Sequence, residues 1–403
     1  MTWAGLADME PEDRLLIGLL RASLGFERFI DKKDLSSPDL NWDHLVQTAE
    51  EHKVVPHIYR AILESDQSHI PQESIDRLRA NFDSNAFRNL AMTGELLRLL
   101  QLFDTMGIPA IPFKGPVLSS YLYEDVSRRE FLDLDILIPV ERVAEVEGKL
   151  ISRGYFQKRE LRPAEEKAFI RYQHHYEFQN PDLGVNLEIH WRLSPRIYSL
   201  DLGSTELFER AERFNFFGRE VFSFSPEDLI LILCEHGTRH YWGRLAWICD
   251  VASLAAAKRI DWKASVRQAQ DVGCERLLFL GLILARELLG APITSEISGL
   301  VEKDRKAALL AEEAMTRLFK KRSLTDESEM GPPSNIGEEL FYLQARERIR
   351  DRALYYLRRA TYPTEDDWEA VSLPEPLFSL YYLIRPLRMI GKYRTRLWKW
   401  FFR

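Results

Sequence analysis

The chain has 403 residues, 45% of them hydrophobic, with a formal net charge of −7 and three cysteines. That length and apolar content exclude a disordered or fibrous chain and leave room for two or three domains. The acidic balance excludes general nucleic-acid packaging, and Cys234, Cys249 and Cys274 supply neither a disulfide framework nor a zinc spacing, so they read as core residues of a reduced compartment.

The N-terminal stretch MTWAGLADMEPEDRLLIGLL places acids ahead of its apolar run and lacks a basic leader. No run of about 18 apolar residues occurs, so a cytoplasmic protein is expected. Residues 1–106 read as helices: one from about Pro11 to Leu24, one beginning at the cap Asn41, and one over 71–107 ended by Gly107. From there short β runs alternate with helices. Residues 108–113, 131–138 and 154–158 read as strands, with helices over 116–124 and 141–152 between them. Residues 174–179 and 184–193 follow as a hairpin whose turn is Asn180-Pro181-Asp182-Leu183-Gly184. This predicts an α+β unit with a mixed sheet over 107–224, flanked by an N-terminal helical region, 1–106, and a C-terminal helical domain, 225–403. The latter opens with Ser225 as N-cap and Pro226 in the first helical position, and is interrupted by a loop over about 320–336.

Two aspartates sit inside the second strand, Phe131-Leu132-Asp133-Leu134-Asp135-Ile136. Strand alternation turns Asp133 and Asp135 to one face and Leu134, Ile136 and Ile138 to the core. Two carboxylates about 7 Å apart along a strand suit a shared hard cation, Mg²⁺ or Mn²⁺. In the hairpin, Val185, Leu187, Ile189 and Trp191 take one face and leave Asn186, Glu188 and His190 on the other, so Glu188 is expected as a third carboxylate. Upstream, Lys114-Gly115-Pro116 reads as strand, glycine turn, helix start, where free N–H groups accept an anion and Lys114 adds charge.

This order resembles the polymerase-β-type nucleotidyltransferase fold. More narrowly, FKGPVLSSYLYEDVSRREFLDLDILI, HHYEF, NLEIHWRL and SPEDLILILCEHGTRHYWGRLAWICDVASL resemble a bacterial family of uncharacterised nucleotidyltransferases, often encoded in biosynthetic clusters. The resemblance implies Asp133, Asp135 and Glu188 as metal ligands, Gly115 seating a triphosphate, and Arg129 stabilising the transferring phosphoryl group. The wider superfamily follows its glycine with Ser or Gly, whereas Pro116 removes one N–H and one hydroxyl. The implied activity is Mg²⁺-dependent transfer of a nucleoside monophosphate from NTP to a hydroxyl-type acceptor. Two other readings stand beside it. One is an inactive nucleotide-binding or scaffold protein at a membrane surface; the other, ranked lower, is a sugar-nucleotide glycosyltransferase.

His174, His175 and His190 fall on the hairpin near Glu188; a zinc site is disfavoured there, because no thiolate accompanies them and the carboxylates already favour a hard cation, and His175 and His190 are expected to hydrogen-bond the acids or meet substrate. His236 and His240 lie four apart before Trp242 and Arg244, which suggests a substrate-facing edge with Arg244 on phosphate and Trp242 on a base. The alternative is packing around an Arg244–Asp250 pair. Residues 385–403 carry seven Lys or Arg and no acid among Leu, Ile, Trp and Phe, a pattern that can lie on an anionic membrane; no stable nucleic-acid partner is expected.

Overall fold

The computed structural model describes residues 9–28, 35, 37, 40–198, 202–257, 260–319 and 336–390. Its N-terminal helices include α1 (Pro11–Ser23), α2 (Trp42–Glu51) and α3 (Val55–Leu63). As expected, Asn41 caps α2, its side chain accepting from the His44 N–H. Helix α4 (Gln72–Thr105) runs for 34 residues and delivers the chain to the sheet.

The sheet is mixed and has the order β1-β2-β5-β4-β3. Its strands are β1 (Ile111–Pro112), β2 (Asp133–Leu137), β3 (Phe156–Gln157), β4 (His175–Asn180) and β5 (Val185–His190). Strand β2 lies parallel to β5 and every other pairing is antiparallel. Helix α5 (Gly115–Tyr123) follows β1, α6 (Val143–Ile151) follows β2, and α7 (Pro163–Tyr172) precedes β4.

A short helix, α8 (Ser204–Glu209), leads into a second, two-stranded sheet, β6 (Glu212–Phe216) and β7 (Arg219–Ser223). Its two-residue turn holds Phe217 at φ 51° and Gly218 at φ 79°, both in the left-handed region that primed hairpin turns require. The described residues that follow are mainly helical: α9 (Pro226–Arg239), α10 (Leu245–Ala256), α11 (Trp262–Val272), α12 (Glu275–Leu289), α13 (Ser295–Val301), α14 (Arg305–Leu318), α15 (Ile336–Ala345), α16 (Ile349–Thr361) and α17 (Glu365–Ala370). Ser225 caps α9, as its sequence implies. No helix among the described residues is long and apolar enough to cross a membrane.

Two main hydrophobic cores position the site. Leu134, Ile136, Ile138, Phe178, Leu187 and Ile189 from the sheet pack with Met92, Leu96, Leu99 and Phe103 from the second half of α4. The second core joins α1, α2 and α3 to the helices α9 to α14, and Leu137, Ile111 and Phe113 reach into it from the sheet. The face of β2 that carries the aspartates therefore ends against this helical core. That is why Asp135 is 2% exposed. Cys234, Cys249 and Cys274 are free and buried, consistent with a packing role.

Candidate active site

Strand register brings the acids together. Asp135 pairs across the parallel β2–β5 ladder with Glu188, and Glu188 pairs across the hairpin with Glu177. Two residues further along β5, His190 faces His175. Because alternate side chains share a face, Asp133, Asp135, Glu177, Glu188, His175 and His190 form one polar surface of the sheet.

The glycine turn is held against this surface. Gly115 has φ 55°, and a Cβ there would lie 3.3 Å from the Asp133 carbonyl oxygen, so both the backbone angle and the close approach call for glycine. Lys114, at the N-cap of α5, donates from Nζ to Asp135 Oδ1 at 2.9 Å. On the other side the His190 Nε2 lies 3.2 Å from the same oxygen and 3.0 Å from Glu188 Oε2.

These contacts set the charges. Burial raises the Asp135 carboxyl, but Lys114 and His190 outweigh it and hold the group well below the usual carboxylate range. Burial likewise opposes the charged forms of Lys114 and His190, yet the surrounding acids keep both above their ordinary values. Glu188 is lowered, with the His190 hydrogen bond offsetting its burial. Asp133 has no such partner: burial, then repulsion from Asp135 and Glu188, push it up to about 7.

The donor set fits a hard divalent cation. Asp135 Oδ2 is buried without a hydrogen-bond partner, and Asp133 is raised by the other two acids, so the cluster has unspent oxygen ligands and excess negative charge. Oxygens of Asp135 and Glu188 and a nitrogen of His190 lie within 4.8 Å of one another.

Arg129 is anchored beside the turn. Its Nε donates to Asp250 Oδ1 at 2.9 Å, its Nη2 lies 2.9 Å from Asp250 Oδ2, and its Nη1 reaches the Gly115 carbonyl at 3.4 Å. Asp250 also accepts from the Tyr123 hydroxyl at 3.0 Å. The backbone before β2 is clamped from α4: Asn89 Nδ2 donates to the carbonyls of Val126 and Arg129, both at 2.8 Å, and Asn85 Nδ2 to those of Ser127 and Arg129, both at 3.1 Å. Asp250 pairs with Arg129, then, and not with Arg244 as one sequence reading had it.

A cavity next to this pair is lined by Phe113, Lys114, Arg129, His236, Trp247 and Asp250. His236 thus reaches the neighbourhood of the turn. His236, His240 and Trp247 form one aromatic group, with the His236 ring 5.2 Å and the His240 ring 5.5 Å from Trp247. Burial, reinforced by Lys114 and Arg239 among nearby cations, keeps both imidazoles well below the ordinary histidine value. Arg244 lies over the Trp247 ring at 5.5 Å.

Trp242 is the correction. It is fully buried, its indole N–H donates to Thr238 Oγ1 at 3.2 Å, and it packs against Gly237 and Gly281. A ring enclosed in that way cannot meet a base; the large aromatic rings that line the cavity are Trp247 and Phe113. The nearest sequence signal was the i, i+3 spacing that puts Trp247 and Asp250 on one face of α10.

Of the basic C-terminal segment, residues 391–403 lie outside the described residues. Arg385 and Arg388 both pair with the buried Asp367, Arg385 at 2.6 Å. Asp367 in turn accepts from the N–H and the hydroxyl of Thr364 at the start of α17. The segment therefore begins tied to the fold.

No curated protein sequence matches the chain. Among solved structures, the antibiotic-resistance factor ANT(2'')-Ia is similar at 14% identity over 57% of this chain and 98% of that one, with a TM-score of 0.30. An antigenic nucleotidyltransferase-like protein from Paracoccidioides brasiliensis is similar at 18% identity over 51% of this chain and 94% of that one, with a TM-score of 0.33. The family model described as uncharacterised nucleotidyltransferase matches residues 38–290, a stretch that holds the whole mixed sheet, the Gly115 turn, the carboxylates on the sheet and Asp250, and the chain belongs to that family.

Proposed function

We propose that the protein transfers a nucleoside monophosphate from an NTP to a hydroxyl-type acceptor in a biosynthetic pathway, with Mg²⁺ or Mn²⁺ held by Asp133, Asp135 and Glu188. The acceptor oxygen bonds to the α-phosphorus, the bond from that phosphorus to the α–β bridging oxygen breaks, and pyrophosphate leaves. When bound, the cation supplies charge neutralisation at the reacting phosphoryl group. Glu188 is suited to take the acceptor proton, because its second oxygen is free of the His190 contact and its group is ionised. Gly115 and the first turn of α5 receive phosphate oxygens, and Lys114 and Arg129 supply positive charge beside them. We assign Arg244, His236 and His240 to the remainder of the nucleotide, with Trp247 as a stacking surface.

The observation that carries this reading is the Asp135–Glu188 pairing across β2 and β5, with the Gly115 turn packed directly on the Asp133 backbone. Labelled-nucleotide transfer tests it: Asp135→Asn should abolish turnover in Mg²⁺ while leaving circular dichroism unchanged, and full turnover in that variant would sink the assignment. One observation favours the non-catalytic alternative, since Lys114 already neutralises Asp135 and Pro116 removes an N–H from the turn. Calorimetry separates the two. A nucleotide-binding scaffold would bind NTP with no turnover in any of the metals, and attachment to anionic vesicles through 385–403 would accompany it.

A further inference from the structure

Three imidazoles converge at the edge of the carboxylate surface. Ring nitrogens of His174, His175 and His190 lie within 4.8 Å of one another. His175 Nδ1 is 3.0 Å from one ring nitrogen of His174 and 3.3 Å from the other. His175 Nε2, on the far side of its ring, lies 3.7 Å from Glu177 and 3.7 Å from Glu188. A carboxylate behind an imidazole fixes its orientation and raises its basicity, the arrangement common to histidines that ligate metals. Glu177 is held in place for that role by Lys158 at 3.2 Å and Arg159 at 3.5 Å.

We propose that His174, His175 and His190 form a second metal site, one that takes a nitrogen-preferring divalent cation such as Zn²⁺. Three imidazoles with the fourth position open is an established zinc donor set and needs no thiolate. Imidazole nitrogen also discriminates against Mg²⁺, which the oxygen ligands of the neighbouring acids suit. Lys114 and Arg239 repel a cation near His174, while Glu177 and Glu188 attract one beside His175. His190 belongs to both donor sets, so the two sites are coupled through one side chain: a cation drawn to the imidazoles competes with the carboxylates for the His190 ring.

Co²⁺, which reports four-coordinate nitrogen ligation by intense visible absorption, tests the site on the full chain without nucleotide. The wild type should show that absorption, and Zn²⁺ should bleach it. His174→Ala should weaken Co²⁺ binding by more than the roughly 10- to 100-fold that loss of an outer-shell partner costs. His175→Ala, at the more exposed edge, should do the same and serves where His174→Ala fails to fold. Asp133→Asn should keep the absorption. The proposal is overturned by an unchanged spectrum in both histidine variants, by its loss in Asp133→Asn alone, or by a wild type with no intense band. Because no nucleotide is present, failure here leaves the transfer reading intact.

Discussion

Arg129 and Asp250 stand 121 positions apart in the chain and 2.9 Å apart in the fold, both nearly removed from solvent. The pair joins the segment that leads into β2 to helix α10, and the carbonyl of Gly115 hangs from the same guanidinium. Removing one partner of a buried pair strands the other charge, at a cost of about 3–5 kcal/mol. Asp250→Ala is therefore expected to lower stability by that amount in urea titration. In whatever fraction remains folded, NTP affinity should drop, because the glycine turn loses its anchor. A variant as stable as wild type would refute the role.

Asp133 gives a prediction whose sign depends on metal. Without a divalent ion its charge is opposed by burial and by Asp135 and Glu188, so Asp133→Asn should stabilise the protein near neutral pH, each unit by which the fold raises the carboxyl opposing its charging by about 1.4 kcal/mol. Mg²⁺ at about a hundred times its Kd should stabilise the wild type by ~2.7 kcal/mol and the variant far less. Thermal unfolding of both proteins, with and without Mg²⁺, reads this out. Equal shifts in the two would rule Asp133 out as a ligand.

The two tryptophans separate packing from recognition. Trp242→Ala should cost about 3–5 kcal/mol of stability, as large core truncations do, with little change in nucleotide affinity at a temperature where the variant is folded. Trp247→Ala should lower nucleotide affinity at a smaller cost in stability, because its ring is only partly buried against the helical core. A nucleotide-binding defect confined to Trp242→Ala would contradict the placement of both rings.

A pH effect is expected far from the site. Asp13 in α1 is buried, and burial, with Glu12 and Glu10 nearby, pushes its carboxyl up to about 6 against the lowering influence of His44. A folded pKa above the unfolded value means that its contribution to stability is present in full below about pH 4 and is lost as pH rises through 6. Asp13→Asn should flatten the stability profile between those values and exceed the wild type by about 1 kcal/mol at pH 7. Parallel slopes in the two proteins would disprove it.

How much of this was legible in the sequence depends on the range of the interaction. Asp133 and Asp135 declared their shared face through strand alternation, and Ser225 and Asn41 declared their caps, because each signal spans a few residues. The parallel register that sets Asp135 beside Glu188 is not written locally. Nor is the Arg129–Asp250 pair, which needs the C-terminal helices folded back on the glycine turn. Trp242 was misplaced for a related reason: a tryptophan near glycines in a polar stretch looks exposed until Gly237 and Gly281 are seen to form its socket. The β6–β7 hairpin escaped notice because its turn is Phe217-Gly218, where an aromatic residue takes the positive φ that Asn-Gly would have advertised. Helix α7 opens on Pro163 and spends its first turn on Glu165 and Glu166, so its apolar stripe is short.

Helix α4, at 34 residues, is about 51 Å long. Its first half contributes Ile75 and Leu78 to the helical core and its second half Met92 to Phe103 to the sheet core. One rigid rod thus serves as a wall of both compartments. A break in its middle would expose each of them at once, so the two cores should melt as a single cooperative unit, and dividing the chain near residue 106 would leave the sheet without its support.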